Sequence, residues 1–173
     1  FNIHQFARDG QYGKYFNGKS TFNIRNDDFV TLELGKISSK KDLFNVVTLQ
    51  IINAVTNDLY FSARDEKKLI VFDEAWQFIR DSSIIGKIIE EGYRKARKYN
   101  GSFSIITQSV NDLELFGRVG KVIYANSAFK FYLQAEDIEK ARQTKLIDYN
   151  EFELAILKSV RQNRPKYSEI FID

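Results

Sequence analysis

The sequence predicts an α/β fold, a mostly parallel sheet with helices on both faces. Three observations carry that expectation. Lys68-Leu-Ile-Val-Phe72 and Phe103-Ser-Ile-Ile-Thr107 are short runs rich in β-formers, with the length and continuity of strands in a parallel sheet. Between them Ile84, Ile85, Ile88, Ile89 and Ala96 recur at helical spacing. Strands that alternate with helical segments of this length are joined by right-handed crossovers, which makes neighbouring strands parallel.

Residues 1–28 are polar and aromatic-rich, dotted with Gly10, Gly13 and Gly18, and without a sustained period they read as loops and short turns. Phe29-Val-Thr-Leu-Glu-Leu34 alternates as a strand does, and Gly35 closes it. From Asp42 to Arg64, Leu43, Val47, Ile51, Val55 and Leu59 fall four apart, which stacks them on one face of a long helix. The run 68–72 reads as a strand buried on both faces. In the helix after it, Arg94 to Lys98 bring four cations near the end, and Gly101 stands where a C-terminal cap belongs. Beyond the strand at 103–107, Val122-Ile-Tyr124 and Ser127 to Leu133 supply one or two more strands, and Glu136 to Lys145 reads as a helix. Asn150-Glu-Phe-Glu153 has the form of a capping box opening a short helix, and Ser168-Glu-Ile-Phe-Ile172 closes the chain as a strand.

At 173 residues and 43% hydrophobic content the chain can bury one core, so residues 1–173 are expected to form a single domain. A net charge of +3 is too mild to announce a nucleic-acid groove. The absence of cysteine excludes a disulfide framework, a thiolate metal site and a thiol nucleophile. No apolar run reaches the roughly 18 residues a membrane-spanning helix needs. The chain opens without methionine and stops directly after a strand-like run, which leads us to expect a piece of a longer protein.

The chemistry concentrates in Leu69-Ile-Val-Phe-Asp-Glu-Ala75. In nucleotide-hydrolysing P-loop proteins an acidic residue at the end of a buried strand helps to hold magnesium, and a second carboxylate beside it can polarise the attacking water. Asp73 has the first position and Glu74 the second; the plainer reading is a strand ending in two solvated carboxylates. Gly13-Lys-Tyr-Phe-Asn-Gly-Lys-Ser20 formally matches the phosphate-loop pattern, but such a loop must link a buried strand to a helix. Phe6-Ala-Arg-Asp-Gly-Gln-Tyr12 is no buried strand, Asn23-Ile-Arg-Asn-Asp-Asp28 would break a helix, and Tyr15 and Phe16 are bulky for a tight cradle. The segment therefore reads as a glycine-containing surface stretch. His4, the sole histidine, reads as a surface residue, and Trp76 and Phe78 as packing or subunit-contact residues.

Asp73-Glu-Ala-Trp76, Ile89-Glu-Glu-Gly-Tyr-Arg-Lys-Ala-Arg-Lys-Tyr-Asn-Gly101 and Ile105-Ile-Thr-Gln-Ser109 together resemble the C-terminal ATPase domain of the TraC family. These are the conjugative-transfer and type IV secretion ATPases, relatives of the FtsK and HerA motors. The similarity runs nearly the whole chain, with Tyr12-Gly-Lys-Tyr-Phe-Asn-Gly18 and Tyr167-Ser-Glu-Ile-Phe171 at its two ends. The resemblance implies a RecA-like P-loop core and a hexameric or otherwise oligomeric ATPase that takes ATP with Mg2+. It implies a phosphate loop upstream of residue 1 and a place at the cytoplasmic face of the bacterial inner membrane. Expected partners are other copies of the chain, the secretion channel and coupling proteins, with DNA contact left open.

In that frame Gln108 matches the family's polar sensor of the γ-phosphate or the attacking water. Arg94 and Arg97 are candidates for the arginine that completes a neighbouring subunit's site, with Lys98 a weaker one; the plainer reading is that all three offset the helix dipole. Two other functions stay open at this point: a non-hydrolysing assembly module of the secretion channel, and a self-contained small NTPase using Gly13 to Ser20.

Overall fold

The computed structural model describes residues 3–19, 23–24, 27–62, 65–74, 79 and 83–173, the side chains of Ser83 and Ile84 aside. The chain forms two compact units, Phe1–Glu66 and Lys67–Asp173.

The first unit opens with a 3-10 turn, Ile3–Phe6, and a one-turn helix α1, Gly13–Phe16. The Phe6 ring packs at 5.4 Å from Tyr12 and edge-on at 5.1 Å from Phe16. Gly13 is required there by close approach, since a Cβ would stand 2.1 Å from the Ala7 carbonyl oxygen. The expected strand at 29–34 does not form. That stretch is irregular and Phe29 is exposed; alternation alone cannot make a strand without a partner to take its backbone bonds.

A 3-10 turn, Gly35–Ile37, then leads toward the long helix α2, Lys41–Phe61. Its buried residues are Leu43, Phe44, Thr48, Ile52 and Leu59, not the expected row of Leu43, Val47, Ile51, Val55 and Leu59. Steps of four advance about 40° around a helix of 3.6 residues per turn. The expected row drifts about 160° from Leu43 to Leu59, whereas 44, 48, 52 and 59 stay within about 80° of one another.

The second unit is built on β1, Lys68–Asp73, and β2, Gly101–Ile106. They pair in parallel, in register from Lys68 with Gly101 to Asp73 with Ile106. The crossover is helix α3, Ser83–Lys95, followed by a 3-10 turn, Ala96–Tyr99. Ile85, Ile89 and Ala96 are fully buried. Asn100, and not the expected Gly101, ends the crossover: it holds φ at 54° and donates its N–H to the carbonyls of Ala96 and Arg97. Asparagine tolerates the left-handed conformation, which leaves Gly101 free to begin β2.

Helix α3 covers the sheet face that carries Phe103, and Gly92 makes this possible, since a Cβ there would lie 2.4 Å from the Phe103 ring. The other face, with Leu69, Val71 and Ile106, is exposed. Burial on both faces of β1, as the apolar run suggested, is therefore not met, because within this unit α3 packs on one side only.

After β2 come α4, Asp112–Leu115, and α5, Arg118–Asn126. Val122 to Tyr124, expected as a strand, lies inside α5 with Val122 and Ile123 buried; three apolar residues fit either structure and periodicity cannot separate them. Strand β3, Phe131–Tyr132, precedes helices α6, Ile138–Gln143, and α7, Glu151–Ser159. The capping box of α7 is formed as expected: Asn150 accepts from the Phe152 and Glu153 backbone, and Glu153 accepts from the Asn150 N–H at 2.8 Å. Strands β4, Gln162–Asn163, and β5, Tyr167–Ser168, make an antiparallel hairpin, and β6, Phe171–Ile172, pairs antiparallel with β3. Among the described residues, parallel pairing is thus confined to β1 and β2. Tyr132, Ile138, Ala141, Ile147, Leu154 and Leu157 form the core of this C-terminal layer.

Candidate functional site

Because β1 and β2 are parallel and in register, they end together, and Asp73-Glu74 and Thr107-Gln108 leave the same edge of the sheet. The carboxyl edge of parallel strands is where α/β proteins bind ligands. There Gln108 Nε2 donates to Glu74 Oε1 at 2.6 Å, joining residues 34 apart in sequence. Glu74 has φ 51°, a conformation that costs a non-glycine residue about 1–2 kcal/mol. Asp73 is exposed on the same sheet face as Leu69 and Val71, and Glu74 is half-buried. Three of the expected site residues are therefore brought to one edge.

The cations are not among them. Helix α3 runs back across the sheet, so its end lies at the amino edge of the strands. Six strand residues at roughly 3.3 Å each put that edge about 17 Å from the carboxylates. Arg94 bonds Glu90 at 3.1 Å, and Arg118 reaches the same carboxylate oxygen at 3.1 Å. Partial burial of Glu90 opposes the shift, but the Arg118 and Arg94 guanidiniums hold its carboxyl below the usual range. Arg97 instead lines an open recess of about 410 Å³ with Lys67, Lys68, Asn100, Gly101 and Ser102. Lys98 is exposed on the same 3-10 turn.

In the first unit Gly13 begins α1 and is preceded by turns, and among its described residues no strand leads into Gly13 to Lys19. Lys14 lies over the Tyr15 ring at 4.8 Å. Ser20 lies outside the described residues, as do Trp76 and Phe78. His4 is exposed. Among the described residues of this segment the phosphate-loop geometry of strand, loop and helix is not present, so the reading as a self-contained small NTPase loses its support.

A polar cluster behind Gln108 was not anticipated. Asp137 Oδ2 accepts from the Ser109 hydroxyl, and from Asn111 Nδ2 at 2.7 Å. Ser109 and Asn111 follow the expected strand directly, and a polar run at a strand end was a signal for them. Asp137 carried none, since an aspartate in the first turn of a helix, where the sequence reading put it, reads as an ordinary complement to the helix dipole. A tyrosine cluster went unseen as well: the Tyr149 hydroxyl bonds Tyr132 at 3.1 Å and Asp173 at 2.8 Å, and Lys130 bonds Asp173 at 2.9 Å.

A parallel β-α-β unit with adjacent carboxylates and a glutamine meeting at its carboxyl edge has the form of part of a nucleotide-binding α/β domain. A family model for the TraG P-loop domain matches residues 1–173, and the chain belongs to that family. P-loop domains bind nucleotide phosphates, which makes a nucleotide the ligand class. The chain is 32% identical to Protein TraC of Escherichia coli (strain K12) over 148 residues, which is 83% of this chain and 17% of that protein. It is also similar to the solved structure of VirB4 of Thermoanaerobacter pseudethanolicus, with a TM-score of 0.67 and 21% identity, over 90% of this chain and 42% of that one. This likeness shows the fold, a RecA-like core whose sheet here is small. The chain thus spans well under half the length of either protein. Among the described residues no helix is long and apolar enough to cross a membrane.

Proposed function

We propose that this chain is the Walker B-bearing part of an ATP-hydrolysing motor that energises type IV secretion, conjugative DNA transfer or pilus assembly. The bond from Gln108 to Glu74 beside Asp73, at the carboxyl edge of parallel strands in a P-loop family member, carries the reading. Asp73 presents an exposed oxygen donor, and one carboxylate together with phosphate oxygens and water is a donor set that Mg2+ takes. Among the described residues no cluster of three or more His, Cys, Asp or Glu is placed to hold a metal, and a phosphate-bound Mg2+ needs none. When bound, Mg2+ would neutralise charge on the ATP phosphates.

The chain's own residues divide the remaining work. Glu74 accepts a proton from the attacking water, and its half-burial together with the Gln108 carboxamide fixes where its carboxylate points. Gln108 senses the γ-phosphate or that water from the neighbouring strand end. Arg97, at the opposite edge, cannot serve Glu74 of its own chain, so it completes the site of an adjacent copy in an oligomeric ring. Arg94, held by Glu90, and Lys98 contribute charge at that interface. The phosphate loop belongs to a segment upstream of residue 1, and the exposed face of Leu69, Val71 and Ile106 suits a core that such a segment completes. The motor works at the cytoplasmic face of the bacterial inner membrane, against the secretion channel and coupling proteins.

ATP turnover by the full-length protein tests this. Asp73→Asn and Glu74→Gln should each lower kcat by about a hundredfold or more, with Glu74→Gln still binding nucleotide. Unchanged turnover in both would remove Asp73 and Glu74 from the hydrolytic site, whereas absence of turnover in the wild type would favour the non-hydrolysing assembly module.

A further inference from the structure

We propose that Asp137 is a positioning residue for the hydrolytic edge, fixing through Ser109 and Asn111 the strand end that presents Gln108 to Glu74. Its kinetic consequence rests on the role proposed for Gln108 above; its geometric consequence does not. Asp137 stands at the N-cap of α6, yet its side chain makes no capping bond. Aspartate is favoured at that position by accepting from the first-turn N–H groups, so capping does not account for it. Its carboxylate turns instead to the segment after β2, where Oδ2 takes the Ser109 hydroxyl and Asn111 Nδ2.

Each polar group of Ser109 is held. Its N–H donates to Asp112 Oδ2 at 3.2 Å, its carbonyl accepts from Thr107 Oγ1 at 2.9 Å, and its Oγ accepts from the Asn111 N–H at 3.0 Å. Gln108 is thereby pinned between Thr107 and Ser109, with its side chain left to reach Glu74. A carboxylate only accepts, so Asp137 also dictates the orientation of the Asn111 amide. That orientation leaves Asn111 Oδ1 buried and without a partner among the described residues, an arrangement that costs stability and that packing alone would not favour. Val110, inside the same segment, packs on the core of Tyr132, Ile138, Leu154 and Leu157. The tether therefore joins the Gln108 edge to the C-terminal layer, and a shift in either is felt by the other.

Two measurements on Asp137→Ala, Asp137→Asn and Ser109→Ala decide it. In this chain, NMR should show the Gln108 side-chain amide losing its NOE contact with the Glu74 side chain in Asp137→Ala and Ser109→Ala. Asp137→Asn, which keeps an oxygen able to accept both bonds, should retain it. In the full-length protein, Asp137→Ala should lower kcat about tenfold with KM changed less than about twofold, and Asp137→Asn should recover most of the loss. Should Asp137→Ala fail to fold, Ser109→Ala carries the same reading. An unmoved Gln108 amide, or equal damage from Asn and Ala, overturns the proposal. A moved amide with no wild-type turnover would uphold the tether and refute the hydrolytic role instead.

Discussion

Glu74 sits in a left-handed conformation that glycine or asparagine takes far more readily, and the Gln108 carboxamide meets it there at 2.6 Å. A strained backbone at a strand end, met by a side chain from the end of the next strand, holds the carboxylate in one direction, in keeping with the role proposed for it. At the same scale, the buried phenols should contribute to the loss of stability at alkaline pH. Burial pushes the Tyr93 hydroxyl from 10.0 up to about 12, against the opposing bonds from Ser127 and the Ile105 backbone. Burial, reinforced by the Tyr124 bond, raises Tyr132 as well, and burial with the Tyr132 bond raises Tyr149. A folded value above the unfolded one means that the native state holds its proton more tightly. The contribution is fully present below pH 10.0 and is lost as pH rises through about 12. The thermal midpoint should therefore fall across that window, and Tyr93→Phe, which keeps the ring, should flatten the fall. A midpoint level with pH in the wild type would contradict this.

Helix α3 does two things as an element: it returns the chain from the carboxyl edge to the amino edge, and it lays Gly92 on the Phe103 ring. That ring is boxed by Phe72 and Tyr93, with centroids 6.0 and 6.1 Å away, so it cannot yield to a Cβ. Gly92→Ala should destabilise the protein by about 1–3 kcal/mol in urea unfolding, and Phe103→Leu in the same chain should restore part of it; an unshifted midpoint would show that the helix lifts without cost.

Elements set by local chemistry were legible in the sequence. The two parallel strands follow from runs of β-formers, and the capping box at Asn150 follows from two side chains reading each other's backbone. Elements set by tertiary partners were not. Phe29 to Leu34 has the alternation of a strand and no strand beside it, and Val122 to Tyr124 is apolar enough for either structure. Asn100 took the cap from Gly101 because the next strand begins two residues earlier than the pattern suggested. Of the site, Asp73, Glu74 and Gln108 could be placed from sequence, because strand ends fix where they emerge. Asp137 could not, since the contact spans 28 residues and nothing local marks it.

Across the whole molecule the decisive feature is the separation of charge between two edges of one sheet, with carboxylates and glutamine at the carboxyl edge and Arg97, Lys67 and Lys68 around the recess at the other. That division suits a ring in which each copy lends its cationic edge to a neighbour. Mixing full-length Arg97→Ala with full-length Glu74→Gln should restore turnover above either variant alone. Arg94→Ala should stay nearer wild type, because Glu90 already holds Arg94 and Arg118 keeps Glu90 paired without it. No recovery in the mixtures would place the arginine's work within one subunit or remove it altogether. The most direct test of the central claim, that Glu74 and Gln108 form one hydrolytic unit, is a double-mutant cycle on kcat in the full-length protein. If they act together, Gln108→Ala lowers kcat about tenfold in the wild type but adds little once Glu74→Gln is present. If the two losses simply multiply, the two residues do not act as one unit, and if neither change slows turnover, the carboxyl edge is not the hydrolytic site.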